Sequence, residues 1–186
     1  MNATLILGGA RSGKSAMAER LARDSGKDVV YLATAHAGDG EMGERIAHHR
    51  ARRPAHWPTV EESLALAGAL RRECTAGRLV LVDCLTLWLT NLMLCGEEPL
   101  PESGKLLLPA RFDQERAALF DVLDASLPGE LILVSNEVGM GIVPMGALSR
   151  RFADEAGWLN QEVAARASRV ILVAAGLPLV LKGAPC

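Results

Sequence analysis

Residues 8–15 constrain this chain more than any other stretch. Gly8-Gly9-Ala10-Arg11-Ser12-Gly13-Lys14-Ser15 fits the pattern G-x-x-x-x-G-K-[ST] in full. An apolar run, Leu5-Ile6-Leu7, precedes it, and a helical pattern follows from Lys14. That order of strand, glycine-rich turn and helix is the setting in which backbone N–H groups converge on phosphate oxygens. The glycines keep side chains out of the way, and the helix N-terminus contributes the positive end of its dipole. A glycine-rich turn that matches by chance is the plain alternative, and the flanking strand and helix argue against it. Lys14 is placed to reach the β- and γ-phosphates of a nucleoside triphosphate, and Ser15 to ligate Mg²⁺.

The rest of the chain supports an α/β fold. Short runs rich in Val, Ile and Leu lie at 4–7, 29–33, 79–82, 131–134, 170–174 and 179–181. Most are apolar on both faces, as strands of a sheet covered on both sides are. Helical patterns at 14–23, 41–53, 61–74, 85–94, 110–127 and 147–167 fall between them, with Gly26 as a C-cap signal and Pro54 as a stop. The alternation predicts an α/β domain with a mainly parallel sheet flanked by helices; together with the motif at 8–15, the fold class expected is a P-loop NTPase of RecA-like type. With 186 residues, one domain over 1–186 is expected. Residues 95–109, with three prolines and two glycines, read as a surface loop.

Composition narrows the function by exclusion. A formal net charge of −2 gives no global attraction to nucleic acid or an anionic membrane. The cysteines Cys74, Cys84, Cys95 and Cys186 form no C-x-x-C pair and no zinc spacing, so buried, inert thiols are expected. No apolar run is long enough to span a bilayer, and no secretory pattern is visible, which points to the cytoplasm.

Two further groups bear on chemistry. Asp83 ends the run 79–83, where an acidic residue would hold Mg²⁺ directly or through water; capping the next helix is the structural alternative. Glu137 is a second acidic candidate after the run at 131–134. The segment 41–53 carries His48, His49 and several arginines. At helical spacing Arg45, His49 and Arg53 share a face, and Arg52 lies three residues beyond His49. Neighbouring guanidiniums disfavour imidazolium and so keep an imidazole neutral and nucleophilic. The same arginines suit bidentate phosphate binding. Such a histidine can attack the α-phosphorus of a nucleotide and carry it covalently. A solvated basic helix with incidental histidines is the alternative on physics alone. His36 lies in the loop after the second run, and His56 sits in a Pro-flanked turn with a structural role expected.

At this point the residues resemble a known family. The opening 5–15, Tyr31-Leu32-Ala33-Thr34-Ala35, the run from Glu41 and Met42 through Arg45, Ile46, His48, His49, Arg50, Arg53, Trp57, Thr59 and Glu61, then Asp83-Cys84-Leu85-Thr86 with Trp88 and Asn91, and Ser135 through Pro144 followed by Phe152, Asp154, Gly157, Asn160 and Gln161, are similar to the bifunctional adenosylcobinamide kinases / adenosylcobinamide-phosphate guanylyltransferases of cobalamin synthesis. The resemblance implies two reactions. The first is phosphorylation of the adenosylcobinamide hydroxyl with GTP or ATP. The second is transfer of GMP from GTP to that phosphate, giving adenosylcobinamide-GDP and pyrophosphate. It further implies a guanylylated histidine at His49, with His48 as the fallback, and nucleotide contacts at Gly8, Gly9, Ala10, Arg11, Ser12, Gly13, Lys14, Ser15, Ala33, Thr34, Ala35, Arg50, Ala51, Arg52, Arg53, Glu61 and Asp83. A homotrimer is implied as well. The two reactions strike different phosphorus atoms, so the histidine helix is expected to move or the nucleotide to change pose, with Gly38, Gly40 and Gly43 as the pliant positions. A simple P-loop kinase that traps no nucleotide on histidine, and a nucleotide-binding switch without turnover, are the other readings.

Overall fold

A computed structural model describes residues 2–35, 54–96, 106–125 and 127–184. Seven strands form one sheet: β1 (Ala3–Gly8), β2 (Asp28–Ala33), β3 (Thr59–Glu61), β4 (Arg78–Asp83), β5 (Glu130–Asn136), β6 (Arg169–Ala174) and β7 (Leu177–Lys182). Their spatial order is β3-β2-β4-β5-β1-β6-β7. All neighbours are parallel except β6 and β7. The described helices are α1 (Lys14–Asp24), α2 (Leu66–Glu73), α3 (Leu85–Leu94), α4 (Ala110–Asp124) and α5 (Ala147–Arg166).

Alternating side chains of the central strands feed two cores, as the pleat requires. Leu5, Leu7, Val30, Leu32, Val80, Val82, Leu131 and Leu133 turn to one face, where Trp88, Leu92, Phe112, Leu119 and Leu159 of α3, α4 and α5 cover them. Ile6, Val29, Tyr31, Leu81, Ile132 and Val134 turn to the other, against Met17, Ala18 and Ala22 of α1 and Trp57. Burying each such aliphatic side chain contributes about 1.5–3 kcal/mol, which explains why strands apolar on both faces sit at the centre. The helix α1 is C-capped by Ser25, and Gly26 follows at φ 66°, a left-handed turn that a side chain would strain.

All six apolar runs are strands, and the sheet is mainly parallel as expected. Three details differ. The strand β3 was not anticipated; three residues, Thr-Val-Glu, carry too little apolar pattern to announce it. Its presence moves the start of the next helix from 61 to Leu66, where the Glu62 carboxylate accepts the amides of Leu64 (3.0 Å) and Ala65 (2.8 Å) and shapes the entry. The helix expected over 110–127 stops at Asp124 because Ala125 is extended. The sheet is also not covered on both sides throughout. On β7, Leu177, Leu179 and Leu181 face solvent. The expected helix 41–53 and residues 97–105 of the expected loop lie outside the described residues.

Candidate phosphate-binding site

The turn between β1 and α1 has the backbone a phosphate cradle needs. Gly13 sits at φ 99° immediately before Lys14, and its carbonyl accepts Met17 N at 3.0 Å, opening the helix. Gly8 and Gly13 are both closely flanked. A Cβ on Gly8 would lie 2.6 Å from the Val173 carbonyl oxygen, and one on Gly13 would lie 3.1 Å from Gly176 Cα. The loop is braced from β6–β7, where Gly176 N donates to Ser12 O at 2.8 Å. Among the described residues no protein atom pairs with the buried Ser12 hydroxyl. An unpartnered hydroxyl inside such a turn is available to an incoming anion.

The Lys14 ammonium is buried and donates to Gly9 O at 3.1 Å, spanning the loop it belongs to. Burial lowers its pKa from the usual lysine value, and the Cys84 thiol and the Asp83 carboxylate oppose that shift. A partly desolvated cation facing an acid across the site gains more from phosphate than a hydrated one does.

Parallel register brings the other candidates to the same edge. Gly8 pairs with Asn136, Ala33 with Asp83, and Ala33 with Glu61, so the carboxyl ends of β1, β5, β4, β2 and β3 line up. This is the edge at which open α/β sheets bind ligands. Asp83 does not cap α3. The N-cap is Cys84 and makes no side-chain capping bond, while Asp83 Oδ2 accepts the Tyr31 hydroxyl at 3.0 Å. Thr34 is fully buried, and its hydroxyl is engaged with the Cys84 backbone, donating to the carbonyl at 2.7 Å and accepting the amide at 2.9 Å. It therefore ties β2 to β4. Glu137 turns inward to its own loop, with Oε1 accepting Gly139 N at 2.7 Å.

A polar lattice behind this edge was not deduced from spacing. Asn136 Nδ2 donates to Thr86 Oγ1 at 2.7 Å, Asn160 Nδ2 to Asn136 O at 3.1 Å, and Asn91 Nδ2 to Thr34 O at 2.7 Å and Ser63 O at 3.1 Å. These bonds hold the ends of β2, β4 and β5 in fixed relation. The available signal was polar residues on otherwise apolar helices. The β6–β7 brace was missed too, though Ala175-Gly176 between two apolar runs is a tight-turn signal. His36, Arg45, His48, His49, Arg50, Ala51, Arg52 and Arg53 lie outside the described residues. His56 is exposed in its turn; Cys74 and Cys84 are buried as expected, whereas Cys95 is only half-buried and Cys186 lies outside the described residues.

A hard oxygen-donor set is present for a divalent cation. Ser15 stands half-buried in the first turn of α1, and Asp83 stands half-buried at the end of β4. Among the described residues no group of three or more His, Cys, Asp or Glu could hold a metal by itself. The donors thus suit an ion that completes its shell with water and nucleotide oxygens, as Mg²⁺ does. Among them, too, no helix is long and apolar enough to cross a membrane.

Comparison with known proteins adds to this geometry. The model of the cobinamide kinase / cobinamide phosphate guanyltransferase family matches residues 4–181. The bifunctional adenosylcobalamin biosynthesis protein CobP of Pseudomonas aeruginosa is 63% identical over 97% of this chain and 98% of its own length. The bifunctional adenosylcobalamin biosynthesis protein CobU of Escherichia coli is 41% identical over 96% of this chain and 98% of its own. Among solved structures, an ATPase of a type III secretion system superposes with a TM-score of 0.57 at 14% identity, over 96% of this chain and 56% of that one. The flagellar accessory protein FlaH of Methanocaldococcus jannaschii does so at 0.51 and 12%, over 98% of this chain and 78% of that one. At such identities the structures speak for the fold alone, that of P-loop NTPases.

Proposed function

The chain belongs to the cobinamide kinase / cobinamide phosphate guanyltransferase family, and from that premise we propose how its own residues divide the work of the two reactions. It is a bifunctional enzyme of cobalamin biosynthesis: it phosphorylates adenosylcobinamide and then transfers GMP from GTP to the new phosphate. The observation that carries the residue assignment is the cradle at 8–15, with Lys14 buried inside it and Asp83 at the carboxyl end of β4, across β5 from β1.

In the kinase step the acceptor hydroxyl oxygen attacks the γ-phosphorus. The bond from that phosphorus to the β,γ-bridging oxygen breaks, the nucleoside diphosphate leaves, and the hydroxyl proton passes to solvent. Lys14 and the backbone of residues 8–15 hold the triphosphate in line and stabilise charge as it shifts toward the leaving group. Arg11 and Ser12 contribute from the loop, and Ala33, Ala35 and Glu61 border the edge where the nucleoside extends. Ser15 and Asp83 would hold Mg²⁺, which when bound neutralises the β- and γ-oxygens.

In the transferase step a nitrogen of His49 attacks the α-phosphorus of GTP and pyrophosphate leaves. The acceptor's phosphate oxygen then attacks the phosphoramidate, the P–N bond breaks, and the imidazole is restored. Arg50, Arg52 and Arg53 neutralise phosphate charge beside it. The chain works as one domain, as its length suggests, in the cytoplasm, as its composition suggests, and as a homotrimer, in keeping with the family resemblance.

The test is α-labelled GTP followed by peptide mapping and acid treatment. Wild type is expected to carry an acid-labile label on the peptide containing His49. His49→Ala loses the label and guanylyl transfer but keeps most kinase activity. Lys14→Ala loses both reactions by ~10²–10³-fold, the scale of one transition-state contact. Equal loss of both activities in His49→Ala argues against the division of roles, and normal kinetics in Lys14→Ala removes the cradle from the mechanism.

A further inference from the structure

The loop that follows β5 is pinned at both ends and yet turns its large apolar side chains to solvent. At its start, Glu137 N donates to Gly8 O at 3.0 Å, which joins the loop directly to the phosphate cradle. Gly139 N binds Glu137 Oε1, and Asn160 holds the Asn136 carbonyl. At its end, the Arg150 guanidinium binds Pro144 O at 3.1 Å and also Met145 O. Between these anchors Met140 is 77% exposed, Ile142 96%, Val143 72% and Met145 94%. Single exposed apolar residues are ordinary, but four within six positions make a patch. Fold stability does not account for them, since side chains this exposed bury little apolar surface.

Position decides what covers them. The kinase step requires the acceptor hydroxyl to meet the γ-phosphorus, so the bulk of the acceptor must lie against the carboxyl edge of the sheet. The loop rises from that edge beside Gly8, whereas the leucines of β7 run away from it toward the opposite edge. The acceptor is a corrinoid: a broad macrocycle with methyl groups on its rim and carboxamide arms. Methionines are pliant and polarizable and suit an irregular apolar surface of this kind. Gly141 is exposed between the apolar side chains, and a Cβ there would meet nothing within 4 Å, so a carboxamide arm can approach the backbone at this point. We infer that residues 138–145 are the docking surface for the corrinoid macrocycle, with Met140, Ile142, Val143 and Met145 packing against its rim. This inference rests on the kinase reading given above and names where its acceptor binds.

The test compares wild type with Ile142→Ser/Val143→Ser and Met140→Ser/Met145→Ser. The readouts are the KM for adenosylcobinamide, the KM for GTP, the melting temperature and the mass in solution. The expected result is a corrinoid KM raised by roughly tenfold, as loss of apolar contact on this scale implies, with the GTP KM, melting temperature and mass unchanged. A corrinoid KM equal to that of wild type overturns the inference. So does a fall in mass with both KM values shifting together, which would make the loop a contact between copies of the chain. Independently of turnover, cobinamide added alone to wild type is expected to slow amide exchange across 139–145, and unchanged exchange there also overturns it. The two readings fail separately: wild type without GTP-dependent phosphorylation of adenosylcobinamide ends the kinase reading, and active wild type with unaffected variants ends only the docking surface.

Discussion

A methyl group on Gly8 would lie 2.4 Å from Ser12 Oγ and 2.6 Å from the Val173 carbonyl oxygen, while one on Gly9 would meet nothing within 4 Å. The serine can swing aside, but the carbonyl belongs to β6 and cannot. Gly8→Ala is therefore expected to cost about 1–3 kcal/mol, as overpacking does, and to weaken GTP binding with it. Gly9→Ala is expected to unfold like wild type. Urea unfolding and titration with a fluorescent GTP check both, and a Gly8→Ala protein as stable as wild type would remove the steric account of this glycine. One turn further along the edge, burial pushes the Cys84 thiol up to about 11, with the Asp83 carboxylate adding to the shift. The folded value is raised above the unfolded one, so stability from the neutral thiol is whole below about pH 9 and is lost as pH climbs toward 11. Wild type is expected to lose on the order of 2 kcal/mol over that window relative to its value at pH 8, and Cys84→Ala to lose less. Denaturation at pH 8, 9.5 and 10.5 measures it; parallel pH profiles would show that Cys84 is not the group responsible.

Elements were legible where their pattern was long and strongly periodic. Leu79 through Val82 and Leu131 through Val134 could be read directly because both faces are buried, and Leu85–Leu94 begins and ends where its pattern does. Thr59–Glu61 could not be read, because a three-residue edge strand takes its conformation from pairing with β2 and not from its own side chains. The contact between α4 and α5 was equally silent in sequence. There Glu155, 2% exposed, binds Arg116 at 2.7 Å and Arg151 at 2.6 Å. Arg116 also stacks on Phe112 at 5.1 Å. Removing the carboxylate leaves two half-exposed guanidiniums facing each other over a largely apolar seam. Glu155→Gln is expected to destabilise the protein by roughly 1–3 kcal/mol, less than for a fully buried pair because solvent screens both arginines. The GTP KM should not move, since Glu155 binds Arg116 and Arg151 on α4 and α5 and not residues 8–15. A double-mutant cycle with Arg151→Gln gives the pair's own share, and a coupling near zero would mean that Glu155 matters for packing alone.

At the scale of the molecule, the sequence told which strand ends meet at the phosphate edge only through its alternation of strand and helix. Gly8, Lys14, Ser15 and Asp83 could be assigned because their residue types are dictated by the chemistry of phosphate and metal. Asn136, Thr86 and Asn160 could not, because their partners are set by strand order, which no local pattern reveals. Strand order also leaves β7 as an open edge. Its face with Leu177, Leu179 and Leu181 is exposed, and Pro178 removes one edge donor. An apolar row on an edge strand invites association, and a closed assembly of copies is the ordinary way to satisfy it without open-ended growth. The trimer implied by the family resemblance would supply such an assembly. Sedimentation of wild type is expected to give close to 59 kDa, three copies of 19.8 kDa, at concentrations down to about 1 µM, with dissociation on further dilution as mass action requires. Leu179→Glu with Leu181→Glu is expected to give 19.8 kDa with the GTP affinity of the cradle retained, because the bond that braces that loop comes from Gly176, ahead of β7. Wild type that sediments as a single copy throughout would end the trimer, and a variant that stays at 59 kDa would place the contact on another face.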